Sequence, residues 1–175
     1  VGEKYPDGLT ANVKSLVVYP DDLFETVKWH DGSPLSAGDF VMNMILSFDP
    51  GKTESKMYDE ALALSINATL SAFKGYRIVS TDPLTIEAYS DTYNTNAELN
   101  ILTLWPQDLY GLGYENSWPV LAVSNLAEVN GELAYSEDKA GALEVEQTNW
   151  VGGPSLEVLG KYLDQAATES HIPYA

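Results

Sequence analysis

Residues 27–41 read, in order, Val27-Lys28-Trp29-His30-Asp31-Gly32-Ser33-Pro34-Leu35-Ser36-Ala37-Gly38-Asp39-Phe40-Val41. Val27 and Trp29 are residue types that favour a β-strand. Residues 30–34 carry the side chains of a tight turn. Ser36 and Asp39, three positions apart, are a variant of the capping box that opens a helix. We therefore expect a strand, a tight turn and a capped helix in direct succession.

The sequence on either side continues an alternation of strands and helices. Two short strands are expected before the turn, at residues 16–19 and 24–29, because both segments are rich in apolar and β-forming side chains. After the turn, apolar residues recur at helical spacing over residues 37–48. The helix that this spacing predicts ends at Asp49-Pro50-Gly51, where proline and glycine interrupt it.

A second helix and a hairpin follow. Apolar residues line one face of a predicted helix over residues 56–73, and Gly75 stands where a glycine commonly follows a helix end. Residues 76–80 and 85–89 alternate in polarity on either side of a turn, which predicts a β-hairpin.

The last third of the chain predicts two helices separated by a loop. Ser117-Trp118-Pro119 opens a helix that runs to residue 127 or 129, with Gly131 beyond its end. Residues 136–150 are acidic and nearly free of apolar periodicity, so we expect a mobile surface segment. The final helix is predicted from five residues at helical spacing: Leu156, Leu159, Tyr162, Leu163 and Ala166.

Composition limits the classes of protein that remain. The chain has 175 residues, 45% of them hydrophobic, which is enough for one ordinary domain. Nine Lys and Arg stand against 26 Asp and Glu, which gives a formal net charge of −17. The Lys and Arg clusters that neutralise phosphates are absent, which argues against a nucleic-acid partner. There is no cysteine, hence no disulfide and no thiolate metal site. The longest apolar run, residues 40–48, is too short for a membrane span.

Three segments resemble one protein family. K-W-H-D-G-S-P-L-S-A-G-D-F-V (residues 28–41) resembles the "[VK]-[WF]-[HS]-D-G-[TS]-P-[LF]-T-A-x-D-[VF]-V" segment of the family 5 extracellular solute-binding proteins, the peptide- and nickel-binding subunits of ABC importers. Residues 76–89 are similar to a later segment of that family, "I-x-x-V-x-x-x-D-x-x-T-[VI]-x-[VFI]". Residues 49–58 are similar to a "D-P-x-T-x-S-x-Y" loop of its peptide-binding branch. The resemblance covers roughly residues 16–102.

The resemblance implies a fold and a domain organisation. It implies an α/β chain, with α+β as the alternative: one lobe of a two-lobed periplasmic-binding-protein-like type II fold, with a mixed small sheet flanked by helices. Residues 1–175 would be a single-domain fragment of a larger protein, in which residues 1–102 form the family-like core and residues 103–175 a helical and loop extension. Ligand affinity of such a lobe alone would be weak, since these clefts hold the ligand between two walls.

The same resemblance implies a function without catalysis. Such a chain captures an oligopeptide or a similar small solute outside the cytoplasm and delivers it to ABC permease subunits. Tyr58 is the expected ligand-binding residue, because the tyrosine of the similar loop faces the peptide cleft in some relatives. No catalytic residue, metal ligand or cofactor is expected.

Other residues have competing interpretations. Trp29 suits core packing more than ligand stacking. His30 and Asp31 are neighbours on a strand end and point to opposite faces, which argues against a shared metal, and Asp31 suits backbone hydrogen bonds in the turn. Carboxylate pairs at residues 21–22 and 144–146, together with the aromatic loop from Trp105 to Trp118, leave a carbohydrate-active hydrolase open. An acidic cell-surface interaction module is the third alternative.

Overall fold

A computed structural model describes residues 8, 10–96, 98 and 116–174. It combines helices with a small antiparallel sheet, in agreement with the expected α/β class. Among the described residues, no helix has both the length and the apolar character that crossing a membrane requires. The aromatic loop from Trp105 to residue 114 lies outside the described residues.

The chain divides into two compact units that alternate along the sequence. The first takes Val1–Val41 and Ala68–Glu115, and the second takes Met42–Asn67 and Asn116–Ala175. The single domain expected over residues 1–175 and its boundary at residue 102 stay predictions.

Three strands form the sheet of the first unit: β1 (Val13–Val18), β2 (Phe73–Thr81) and β3 (Leu84–Ser90). β3 lies in the middle and pairs antiparallel with both neighbours. The apolar residues of β3 are fully buried, and they are Leu84, Ile86 and Ala88. The predicted hairpin is confirmed as β2 and β3, and the predicted strand at residues 16–19 is confirmed as part of β1.

The strand prediction for residues 24–29 is wrong over residues 24–26, and at Lys28 the strand is reduced to an isolated antiparallel bridge with Pro34. Leu23–Thr26 instead forms a single helical turn, α1, in which the Thr26 hydroxyl and N–H both donate to the Asp22 carbonyl, each at 2.9 Å. Phe24 packs edge-on against Phe40, with ring centroids 6.4 Å apart. This local hydrogen bonding and packing override the β preference of the segment.

The predicted tight turn and capped helix are confirmed. The Trp29 N–H donates to the Ser33 carbonyl at 2.9 Å across the turn, and Gly32 takes a φ of +87° that favours glycine. Helix α2 spans Ala37–Leu46. The Asp39 carboxylate accepts the N–H and the hydroxyl of Ser36, at 2.7 and 2.8 Å, which is the acidic half of a capping box.

The second predicted helix exists but is shorter than residues 56–73. A 3-10 turn occupies Asp49–Gly51, and helix α3 spans Glu60–Leu70. Phe73 already belongs to β2, and the prediction that Gly75 follows a helix end is wrong. Gly75 lies inside β2, with φ +153°, where the pairing with β3 shifts register.

Helices dominate the second unit. Helix α4 spans Trp118–Val129 and α6 spans Ser155–Glu169, so both predicted helices are confirmed. Four fully packed residues from α4, β4 (Leu133–Ala134) and α6 form a buried cluster, and they are Val123, Ala127, Leu133 and Tyr162. β4 pairs parallel with β5 (Glu146–Gln147), so parallel and antiparallel pairings occur in separate sheets.

The prediction of a mobile surface segment at residues 136–150 is wrong, because these residues include a helix and a strand. Helix α5 spans Glu137–Leu143, and β5 follows it. The Ser136 hydroxyl accepts the Lys139 N–H at 3.1 Å and caps the helix. Ala140 is the buried residue of α5, so the apolar spacing that reveals longer helices is missing here.

Candidate functional site

Tyr58 lines a cavity in the second unit, which we call the Tyr58 cavity. Its volume is about 480 Å³, and residues 58–61 face residues of α5 across it. The lining residues are Tyr58, Asp59, Glu60, Ala61, Asp138, Lys139 and Ala142. Tyr58 itself is half-buried. Its role as a ligand contact stays a prediction.

The loop that carries Tyr58 is held by its own hydrogen bonds. The Tyr58 N–H donates to the Ser55 carbonyl at 3.1 Å, and the Ser55 hydroxyl donates to the Asp49 carboxylate at 2.7 Å. The Asp59 N–H donates to the Pro50 carbonyl at 2.9 Å. These bonds fold the loop back onto the 3-10 turn and fix the backbone on both sides of Tyr58.

Gly51 marks a close approach between the 3-10 turn and α3. A Cβ atom at residue 51 would lie 2.6 Å from Ile66 Cγ2 and 3.0 Å from Ile66 Cβ. Only glycine leaves room for the Ile66 side chain at that distance. The sequence Asp49-Pro50-Gly51 therefore does more than end a helix: it sets how closely the loop lies against α3.

The two carboxylate oxygens of Asp59 differ in their hydrogen bonding. The residue is only 3% exposed. Its Oδ1 caps α3 by accepting the N–H groups of Ala61 at 2.9 Å and Leu62 at 3.3 Å. Its Oδ2 is buried and has no hydrogen-bond partner among the described residues. One wall of the Tyr58 cavity thus contains a carboxylate with unused acceptor capacity.

Lys139 reaches the same cavity from α5 and belongs to a buried ion pair. Its Nζ lies 2.6 Å from Glu128 Oε1 and 3.5 Å from the Met57 carbonyl. Glu128 is 2% exposed, and its Oε2 accepts the Tyr135 N–H at 2.8 Å. Burial raises the pKa of Glu128, while the hydrogen bond from Lys139 acts in the opposite direction and the nearby charge of Asp59 adds to the rise.

The charge of the cavity is negative. Asp59, Glu60 and Asp138 contribute carboxylates to its lining, and Lys139 is the ammonium among the lining residues. Because Lys139 already pairs with Glu128, its charge does not balance the other carboxylates. The cavity is therefore suited to a solute with a cationic or hydrogen-bond-donating group.

Metal binding finds no support in the part of the chain that the structure describes. No group of three or more His, Asp and Glu side chains there is placed to hold a metal ion. His30 is exposed, and Asp31 accepts the N–H and the hydroxyl of Ser33 at 2.8 and 2.6 Å. These hydrogen bonds confirm the predicted role of Asp31 in the turn. They also lower the pKa of the Asp31 carboxyl group.

The other residues considered from the sequence are not among the residues that line the Tyr58 cavity. Trp29 is half-buried in the first unit, and its indole N–H has no partner among the described residues. Trp118 begins α4 and does not line the cavity. The carboxylate pairs at residues 21–22 and 144–146 are exposed, as expected of a solvated acidic surface.

Known proteins give no independent assignment for this site. Comparisons with models of protein families, with curated proteins and with solved structures find no match.

Sequence reasoning missed most of the cavity. Asp59 carries a recognisable signal, since an aspartate directly before an apolar helical pattern is a typical N-cap. The apolar spacing predicts a helix that begins at residue 56, and within such a helix Asp59 does not stand at an N-cap. Asp138 and Lys139 lie in the segment expected to be mobile, and nothing local in the sequence indicates that α5 faces Tyr58.

Proposed function

We propose that this chain is part of the solute-binding component of an ABC importer, and that it captures oligopeptides or similar small solutes outside the cytoplasm for a membrane permease. In this proposal the chain is one lobe of a two-lobed periplasmic-binding-protein-like type II fold. The observation that carries the proposal is the segment at residues 28–41, which resembles the family 5 solute-binding proteins over many consecutive positions.

The Tyr58 cavity supports the proposal in a second way. The residue singled out by the resemblance lines a cavity whose volume, about 480 Å³, lies in the range of small-molecule sites. The tyrosine ring and hydroxyl offer an apolar face and a hydrogen bond to a peptide group. The surrounding carboxylates attract ammonium or guanidinium groups of the solute.

The mechanism in this proposal is binding followed by domain closure. One wall supplies weak contacts, and a second lobe closes over the solute and removes it from water. The closed form then presents the solute to the permease. No bond of the solute is broken, so the proposal requires no acid, base or nucleophile.

A mixture of peptides tests the proposal on the full-length protein. The protein is dialysed against an equimolar mixture of tripeptides, and retained ligands are identified by mass spectrometry. Cello- and xylo-oligosaccharides and nickel with histidine serve as competing ligand classes. We expect selective retention of peptides, with those carrying Lys or Arg enriched. Retention of sugars or nickel without peptides would contradict the proposed solute class.

A carbohydrate-active hydrolase is the second candidate, and one observation favours it. Asp59, Glu60 and Asp138 line a single cavity, and glycoside hydrolases use a pair of carboxylates in one cleft. This candidate predicts release of shorter sugars from the oligosaccharides, and loss of that turnover in Asp138→Asn. The receptor proposal predicts no turnover in either protein.

A further inference from the structure

A second cavity in the second unit shares no lining residue with the Tyr58 cavity. Its volume is about 470 Å³, and we call it the Met57 cavity. Much of its wall is apolar and comes from Met57, Leu126, Val129 and Pro173. A wall of this kind excludes water from a hydrocarbon or aromatic group of matching size.

Lys56 gives the Met57 cavity a cation that pairs with no carboxylate among the described residues. Lys56 lines the cavity and is exposed. Six of the described Lys and Arg side chains form ion pairs with carboxylates, and among the described residues only Lys28 and Lys56 do not. The chain contains 26 Asp and Glu residues, so an unpaired lysine at a cavity is unusual for this protein.

Two further side chains add hydrogen-bond donors to the same wall. Asn125 is 6% exposed, and its Oδ1 accepts the Tyr135 hydroxyl at 2.6 Å. Its Nδ2 donates to the Met42 sulfur at 3.7 Å, which is a weak acceptor and leaves donor capacity unused. His171 also lines the cavity, and its imidazole makes no hydrogen bond to a described residue.

Asp49 contributes the carboxylate of the Met57 cavity, and this carboxylate already has hydrogen-bond and ion-pair partners. Asp49 accepts hydrogen bonds from the Ser55 hydroxyl at 2.7 Å and from the Tyr174 hydroxyl at 3.2 Å. It also pairs with the Lys52 ammonium at 3.2 Å. With these three donors in place, Asp49 does not offset the unpaired charge of Lys56, and the Met57 cavity favours an anion despite the acidity of the whole chain.

We propose that the Met57 cavity binds a small carboxylate with an apolar body, such as an arylalkanoic acid. The carboxylate pairs with Lys56 and accepts hydrogen bonds from Asn125 and His171, and the apolar body packs against Met57, Leu126 and Val129. The site is separate from the Tyr58 cavity, so this inference does not depend on the proposed function.

Three ligands with one body and different head groups test the inference. Isothermal titration of the full-length protein compares phenylpropionate, phenylpropionamide and phenylpropylamine, which carry a negative, a neutral and a positive head group. We expect phenylpropionate to bind most tightly and phenylpropylamine least. Lys56→Gln should weaken phenylpropionate binding about tenfold, equivalent to about 1.4 kcal/mol. Lys28→Gln removes the other lysine that has no ion pair among the described residues, and it should leave the dissociation constant unchanged.

A second variant tests the apolar wall. Val129→Phe fills part of the Met57 cavity and should weaken phenylpropionate and phenylpropionamide alike, with circular dichroism confirming that the variant folds. The proposal is overturned if the amine or the amide binds as tightly as the acid, if phenylpropionate shows no saturable binding, or if Lys56→Gln and Lys28→Gln have the same effect.

The tripeptide Gly-Gly-Phe tests whether the ligand is a free acid or the carboxyl end of a peptide. Its last residue carries a carboxylate beside an aromatic side chain, as phenylpropionate does. If Lys56→Gln weakens its binding too, the cavity takes the carboxyl end of a peptide. If only phenylpropionate responds to the substitution, the ligand is a free acid. Both results support a carboxylate site.

Discussion

At the scale of single residues, Lys139 lines the Tyr58 cavity and forms a buried ion pair with Glu128. Lys139→Met leaves the Glu128 carboxylate buried without its ammonium partner, and a loss of about 3 kcal/mol in the free energy of unfolding is expected. Lys161→Met is the matched control, because the Lys161–Glu132 pair is exposed and should contribute much less to stability than the buried pair. Urea denaturation measures both, and equal losses would contradict the assignment of Glu128 and Lys139 to a buried pair.

The pH dependence of the Lys139→Met variant gives a second test. Burial already raises the pKa of Glu128, and removing the Lys139 hydrogen bond and charge raises it further. An acid whose pKa is raised by folding destabilises the folded state as pH rises above its unfolded pKa, so protonation at low pH relieves the penalty. We therefore expect the stability difference between protein and variant to be smaller at pH 5 than at pH 7. A difference that grows on acidification would rule out this explanation.

Replacing glycine by alanine is expected to change stability in opposite directions at Gly51 and at Gly160. Gly51→Ala places a methyl group 2.6 Å from Ile66 Cγ2, and such overpacking costs about 1–3 kcal/mol. At Gly160, in the interior of α6, a Cβ meets nothing within 4 Å. Gly160→Ala should stabilise the protein by about 1 kcal/mol through helix propensity. Thermal unfolding of both variants gives the two signs, and a stabilising Gly51→Ala would disprove the close approach to α3.

At the scale of elements, α5 depends on its cap because it buries little. Ser136→Ala removes the hydroxyl that accepts the Lys139 N–H and should cost about 1 kcal/mol. Ser117 occupies the same position of α4 without a side-chain cap bond, so Ser117→Ala should change stability by less than about 0.5 kcal/mol. Hydrogen exchange of the Lys139 amide is the local readout. A Ser117→Ala cost as large as that of Ser136→Ala would refute the capping role.

Elements could be predicted from the sequence where a long pattern supports them. α2, α4 and α6 repeat apolar residues over several turns, and the hairpin of β2 and β3 alternates in polarity around a turn. α1 and α5 have four and seven residues, too few for a period to emerge. Their formation depends on hydrogen bonds and packing, such as the contact of Phe24 with Phe40, that a local pattern does not contain.

The candidate site was less predictable than the elements. Tyr58 is found through a family resemblance, and Asp59 through the capping preference of aspartate. Lys139 and Glu128 come from parts of the chain some 70–80 positions away, and only the tertiary fold brings Lys139 to the Met57 carbonyl. A contact between residues that far apart along the chain leaves no periodic signal in a single sequence.

For the whole molecule, the net charge of −17 should govern the response to salt. Repulsion among unpaired carboxylates destabilises the folded state, and salt screens it. Salt also weakens the exposed ion pairs, but these contribute little. We expect the melting temperature to rise as sodium chloride increases, by about 2–4 °C for each 1 kcal/mol gained. Sucrose at matched osmolarity controls for non-ionic effects, and a melting temperature that falls with salt would mean that ion pairs outweigh the repulsion.

The most direct test of solute binding measures the affinity of the full-length protein for its best-retained tripeptide, with Tyr58→Ala and Tyr93→Ala as variants. Tyr93 is 78% exposed in the first unit and serves as the matched control. We predict that Tyr58→Ala raises the dissociation constant about tenfold, about 1.4 kcal/mol, and that Tyr93→Ala leaves it unchanged. A folded Tyr58→Ala variant that binds the peptide as tightly as the unmodified protein would contradict the proposal that the Tyr58 cavity holds the solute.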